Sequence, residues 1–269
     1  MGSRTRGKGA ESMLKLEHVS IVFNPGTVNE KTALDDVSLH IQPGDFVTMI
    51  GGNGAGKSTL LNCVSGAYLP TRGKILIDGA DVTNMPEYRR AALLGRVFQD
   101  PKAGTCSHLT ILENLALADN KGSAYGLGRG VLKSRREHYR ALLSQCAMGL
   151  ENRLDTLVGT LSGGQRQALA LVIATMSDIR LLILDEHTAA LDPKSSETIM
   201  ELTNELVKKR NLTTVMVTHN LRYAVAYGDR LLMMHRGEAV IDRSGEEKQA
   251  LAVEDLLDTF TSISVELGN

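Results

Sequence analysis

Eight consecutive residues, Gly51-Gly52-Asn53-Gly54-Ala55-Gly56-Lys57-Ser58, carry the sharpest chemical signal in the chain. They fit G-x-x-x-x-G-K-[ST] without a gap. Glycines let backbone N–H groups turn inward around phosphate oxygens with no Cβ in the way. The lysine brings a point charge to the β- and γ-phosphates of a nucleoside triphosphate, and the Ser58 hydroxyl is a ligand for Mg²⁺. A second group, Leu181-Leu182-Ile183-Leu184-Asp185-Glu186, is an apolar run ending in two acids. There Asp185 is placed to serve the metal, and Glu186 to act as general base on a water. A third, Leu161-Ser162-Gly163-Gly164-Gln165, offers a hydroxyl and two close-approach glycines just ahead of a predicted helix over Arg166–Met176. That is a second phosphate-binding surface in the same chain. One nucleotide cannot use both surfaces of a single copy if they lie apart, whereas two copies docked head to tail can bring them together.

The elements needed to hold these groups are legible nearby. Phe46–Ile50 reads as a short apolar strand running into the glycine-rich loop, and Leu60–Tyr68 as the helix beyond it, ended by Pro70. Alternation over Leu14–Phe23 predicts a half-buried strand, followed by strands at Val37–Ile41 and Lys74–Asp78. Leu181–Leu184 and Thr213–Thr218 have the apolar or β-branched character of buried parallel strands. Leu231–Met234 and Ala239–Ile241 form a hairpin around Arg236-Gly237-Glu238. Between about 101 and 161 helical patterns take over, at Ile111–Asp119 and Leu132–Met148, with a flexible stretch at Lys121–Gly130. The fold class is α/β: a P-loop NTPase core with a mixed, mainly parallel sheet, an N-terminal antiparallel β subdomain and an inserted α-helical subdomain. The expected organisation is a flexible tail at 1–12, then one domain over 13–269. Its core takes in 13–100 and 162–250, the helical subdomain about 101–161, and a C-terminal tail 251–269.

With all three motifs in view, the chain resembles the ABC ATPase family, whose signature motif is similar to Leu161–Gln165. The resemblance runs from about Leu14 to Ile241, and the family's other elements follow in order. It implies that ATP is bound by Gly51, Asn53, Gly54, Ala55, Gly56, Lys57, Ser58 and Thr59 of one copy and by Ser162, Gly163, Gly164 and Gln165 of the other. Phe23 stands where the family stacks an aromatic ring on adenine, a place for which Tyr68 and Tyr88 are less well situated. Gln99 resembles the glutamine that senses Mg²⁺ and the attacking water and couples the site to the helical subdomain. Asp192, in Ala189-Ala190-Leu191-Asp192, looks like the residue that reaches across the dimer, and His219 like the switch histidine at the γ-phosphate. The catalytic set implied is Glu186, His219, Gln99 and Lys57; the metal set is Ser58, Gln99 and Asp185. Two positions depart from the family's pattern: His187 replaces the usual proline after the glutamate, and Ala189 the usual serine. Neither removes a group that the chemistry requires.

Composition bounds the partners. Thirty Lys+Arg against 31 Asp+Glu leave a net charge of −1, which gives nucleic acid no support as a partner. Three scattered cysteines, Cys63, Cys106 and Cys146, show no metal-ligand spacing and fit a reducing compartment. No apolar run approaches the roughly 18 residues that a bilayer demands. The first twelve residues lack a hydrophobic centre, so they are not a secretory signal. An expected location follows: peripheral, on the cytoplasmic face of the membrane, through integral permease subunits, as a homodimer. A single cassette whose Lys57 and Ser162 are separated only by a compact helical region disfavours the family's coiled-coil DNA-repair branch and its two-cassette translation factors. The segment Thr110-Ile111-Leu112-Glu113-Asn114-Leu115 and the style of the core look like bacterial amino-acid or small-solute importers, a group proposed for aromatic amino acids among them. That resemblance implies an extracytoplasmic substrate-binding protein. The alternative is a separate-subunit exporter of lipid or peptide.

Overall fold

The computed structural model describes residues 12–121, 130–131 and 133–266. The tail expected over 1–12 and the flexible stretch at Lys121–Gly130 lie, but for their end residues, outside these. Strand β1 (Leu14–Phe23) pairs antiparallel with β2 (Lys31–Ile41), which is longer than the Val37–Ile41 expected, bringing Phe23 opposite Lys31. β3 (Phe46–Gly51) is buried along its whole length and delivers the chain to α1 (Lys57–Ser65). That helix stops three residues short of Tyr68, because Gly66 takes a left-handed φ of 89° and caps it. β4 (Arg72–Ile77) returns beside β1, followed by β5 (Ala80–Asp81), the single turn α2 (Glu87–Arg90) and β6 (Leu94–Val97).

α3 (Ile111–Asp119) has the predicted limits and opens with a capping box of Thr110 and Glu113. α4 (Arg136–Ser144) is shorter than Leu132–Met148, with left-handed residues at Ala147 and Gly149 beyond its end. α5 (Gly163–Thr175) starts three residues earlier than Arg166, so the two signature glycines form its first turn. There follow β7 (Leu181–Asp185), α6 (Pro193–Arg210), β8 (Thr213–Val217), α7 (Leu221–Ala226), β9 (Arg230–His235), β10 (Glu238–Ser244) and α8 (Gly245–Gln249). The tail expected over 251–269 is instead helical through α9 (Val253–Glu266). Leu256 in that helix is buried with Ala224, Leu231 and Met233. The acids Glu254, Asp255 and Asp258 mask this apolar contact in the sequence.

Among the described residues the strands form two sheets. One is antiparallel, ordered β2-β1-β4-β5; the other is mixed, ordered β10-β9-β3-β8-β7-β6, with only the β10 edge antiparallel. β7 divides its side chains by the period of two that a strand imposes. Leu182 and Leu184 pack into a core with α3, α4, α5 and α6. Leu181 and Ile183 pack into a second core with α1 and the antiparallel sheet. The large sheet is therefore covered on both faces, and the carboxyl ends of its parallel strands are where ligands of such folds bind.

Candidate functional site

The glycine-rich loop leaves β3 and enters α1 with backbone that only glycine accommodates at Gly56. Its φ is 101°, and a Cβ there would lie 2.7 Å from the Ala33 carbonyl oxygen. Lys57 folds back over the loop and donates from Nζ to the carbonyls of Gly51 and Gly52, at 2.7 and 2.9 Å. Burial pushes its pKa down, while Glu186 and then Asp185 push it back up. The ammonium is thus held between the loop's carbonyls and two acids, ready to meet a phosphate. Ser58 is exposed beside it and Thr59 half-buried. The loop's free N–H groups and the positive end of α1 make this an anion site.

A cavity of about 200 Å³ joins this loop to distant parts of the chain: Asn53 to Thr59 share its wall with Phe23, Lys31, Glu186 and His219. Phe23 stands at the cavity in an edge-to-face pair with Tyr68, ring centroids 5.3 Å apart. Glu186 follows β7 in a left-handed conformation (φ 48°), its N–H bonded to the Val217 carbonyl at 3.0 Å. Its carboxylate is only 14% exposed, and Oε1 lies 2.6 Å from Nε2 of His219. A carboxylate held this way at the phosphate loop can take a proton from water.

Asp185, one residue earlier, has Oδ2 held at 2.9 Å by Nη2 of Arg96. The same guanidinium donates to Ser65 Oγ at 3.2 Å and stacks 4.7 Å from the Phe98 ring centroid. Residues Ser58 and Asp185 suit Mg²⁺. Both are hard oxygen donors, Asp185 acts on Lys57 electrostatically, and Mg²⁺ is ordinarily held by one or two protein oxygens plus phosphates and water. Among the described residues no group of three or more His, Cys, Asp or Glu could form a self-sufficient metal cage.

Several predicted site residues are not brought to this cavity. Gln99 follows β6 and is exposed, away from the cavity wall. Ser162 to Gln165 also lie outside the wall and are organised as a helix start. Ser162 Oγ accepts from the Gln165 N–H at 3.2 Å, and Gln165 Oε1 accepts from the Ser162 N–H at 3.3 Å. The Gln165 amide also reaches Met148 O, so its side chain faces its own protomer while the Ser162 hydroxyl stays exposed. Asp192 caps α6 by accepting from the Ser195 N–H at 3.0 Å, and hydrogen bonding from the Ser195 side chain and then its backbone holds the Asp192 carboxyl below the usual range. The two groups are close neighbours: a Cβ at Gly163 would lie 3.1 Å from the Leu191 side chain, and one at Gly164 3.3 Å from that of Ser195. His187 is buried, bonded through Nε2 to Thr203 Oγ1 at 3.2 Å, and burial pushes its pKa down to about 4.

Sequence reasoning missed Arg96 and Lys31. No motif marks either; Arg96 could have been suspected only as a charge inside a short strand, and Lys31 only from its register with Phe23.

A sequence profile described as ABC transporter matches residues 34–189. The tyrosine transport ATP-binding protein of Clostridioides difficile is 45% identical over 248 residues, which is 92% of this chain and 98% of that relative. The chain belongs to the ABC transporter family. It is an ATP-binding, ATP-hydrolysing subunit of that family, with the expected α/β fold. The ABC chain is also similar to the methionine import ATP-binding protein of Mannheimia succiniciproducens, 32% identical over 256 residues, covering 92% of this chain and 71% of that one. Among solved structures, it is similar to a dimeric ATP-binding cassette in a post-hydrolysis state bound to ADP and Pi. The TM-score is 0.73 and the identity 30%, over 86% of this chain and 98% of the other.

Proposed function

We propose that the chain works as one half of a head-to-tail homodimer holding two ATP between its protomers, and drives import of an amino acid through a membrane permease. One observation carries the dimer. Within a single copy the phosphate loop, Glu186 and His219 share a cavity, and none of Ser162 to Gln165 lines it. The second copy supplies the rest, bringing the Ser162 hydroxyl, the Gly164 amide and Asp192 to the nucleotide.

In this reading Phe23 stacks on adenine, and residues Gly51 to Thr59 cradle the phosphates against Lys57. Glu186 accepts the proton of the attacking water as its oxygen bonds to the γ-phosphorus and the ADP oxygen departs. His219 holds the Glu186 carboxylate and faces the γ-phosphate. Ser58 and Asp185, with Gln99, would hold Mg²⁺, which neutralises phosphate charge when bound. Positioning and preorganised charge are the chief levers for this reaction. The chain then acts as one ATPase domain, with the core over 13–100 and 162–250 and the helical subdomain at about 101–161. That subdomain passes closure to permease subunits from the cytoplasmic face, with a substrate-binding protein on the other side. Among the described residues no helix is long and apolar enough to cross a membrane, so the permease provides the attachment. Amino-acid import is supported by relatives whose names specify tyrosine transport and methionine import.

Glu186→Gln tests the site. ATP binding should persist, turnover should fall by about 10²-fold or more, and size-exclusion chromatography should show an ATP-dependent dimer. Near-normal turnover would falsify the assignment of the base, and a monomer at saturating ATP would refute the shared site. The solute is tested by isolating the membrane complex and screening its binding protein. A ligand that is not an amino acid, or a complex lacking any binding protein, counts against import of an amino acid.

A further inference from the structure

We infer that His187, standing where the family usually carries proline, is a positioning residue that fixes Glu186 by pinning the turn after β7 to α6. The inference rests on the reading of Glu186 as general base.

Glu186 has a left-handed backbone (φ 48°), a conformation that disfavours any residue with a Cβ. Such a conformation persists only where the surroundings impose it. Two backbone hydrogen bonds contribute, from Glu186 N–H to Val217 O at 3.0 Å and from Ala189 N–H to Glu186 O at 2.9 Å. Two side-chain bonds tie the same turn to α6. Ser196 Oγ donates to Thr188 O at 3.0 Å, and the His187 ring meets Thr203 Oγ1 at 3.2 Å. Of these side-chain ties, the one from His187 starts at the residue next to Glu186.

The direction of that bond follows from Thr203. Its hydroxyl donates to the Ile199 carbonyl at 2.7 Å, so its single proton is already engaged. Oγ1 can then only accept, and the His187 Nε2 must carry the proton it donates. His187 and Thr203 are both almost fully buried, at 2% and 0% exposed, where water cannot substitute for either partner. A proline at 187 would stiffen the turn without reaching α6; the histidine stiffens it by anchoring. The carboxylate that results projects into the phosphate-loop cavity and against His219.

Thr203→Val, nearly isosteric, removes the acceptor while leaving the helix and the histidine in place. Turnover should fall about tenfold or more, since small misplacements of a catalytic group are costly, while ATP affinity stays within about twofold of the parent. Thr203→Ser restores the hydroxyl and should restore kcat. In ¹⁵N-labelled parent protein, the imidazole resonance assigned by its loss in His187→Gln should show Nε2 protonated, with a hydrogen-bonded proton shift that Thr203→Val abolishes. Unchanged kcat in Thr203→Val, equal losses in the Val and Ser variants, or a proton on Nδ1 instead of Nε2 would each overturn the inference. Glu186→Gln run in parallel separates the two failures. Turnover retained there sinks the base itself; turnover lost there but kept in Thr203→Val sinks only the anchor.

Discussion

A single guanidinium ties the Asp185 carboxylate, proposed to serve Mg²⁺, to the rest of the core. Arg96 and Asp185 are 16% and 17% exposed, and their bond at 2.9 Å links the edge strand β6 to the end of β7. Removing one partner leaves the other charge half-buried and uncompensated, which is worse than lacking both. Arg96→Met should therefore lower unfolding stability by about 1–3 kcal/mol, discounted from the figure for fully buried pairs because some solvent reaches this one. Adding Asp185→Asn should return part of that loss. A urea double-mutant cycle measures it, and strictly additive losses would show that the pair does not couple. Of the groups at this end of the sheet, the glycine-rich loop, Asp185 and Glu186 were singled out by type and spacing, and His219 by the family resemblance alone. Arg96 was not, because its importance comes from a neighbour 89 positions away that only the strand pairing reveals.

The start of α5 serves two purposes that can be separated. Ser162 closes a capping box with Gln165, and its exposed hydroxyl is the group proposed to meet the twin's phosphate. Ser162→Ala should cost about 1 kcal/mol of stability through the lost cap and also weaken the ATP-driven dimer. Aspartate caps as well as serine does, yet it turns a carboxylate towards phosphate oxygens. Ser162→Asp should thus keep its thermal midpoint near the parent's while losing the ATP-dependent dimer. Calorimetry and size-exclusion chromatography read the two effects apart. A stable dimer in Ser162→Asp would mean that no phosphate sits there. Elements of this kind were readable wherever a cap or a period stood out. Ile111–Asp119, read from its helical pattern, has those limits in the structure, where the Thr110–Glu113 capping box fixes its start. The C-terminal region from Gly245 reads as a helix followed by a tail, and α9 falls within the part read as tail, since three acids dilute its apolar contact and its burial depends on α7 and β9 being already in place.

Whether core and helical segment open as one unit can be asked with the thiols. Cys63 on α1 and Cys146 just beyond α4 are buried, and burial pushes both pKa values up to about 11, whereas Cys106 is exposed. At pH 8 in native buffer, Cys106 should react with a thiol reagent at once. The other two should react only as fast as the structure opens, because a buried thiol with a raised pKa offers little thiolate. Cys146 sits in the core that joins α3, α4 and α5 to β7, β8 and α6, while Cys63 sits in the core on the sheet's other face. Strand β7 has side chains in both, so neither core can be lost without unseating that strand. ATP held at the phosphate loop stabilises the folded form by RT ln(1 + [ATP]/Kd), about 2.7 kcal/mol at a hundredfold excess over Kd. In the Glu186→Gln variant, where nucleotide should persist, ATP should slow labelling of both buried thiols by the same factor of about a hundred under those conditions. Mass spectrometry of the labelled peptides gives the two rates separately. If ATP protected Cys63 and left Cys146 unaffected, the helical segment would open independently of the ATP site, and closure at one could not be transmitted rigidly to the other.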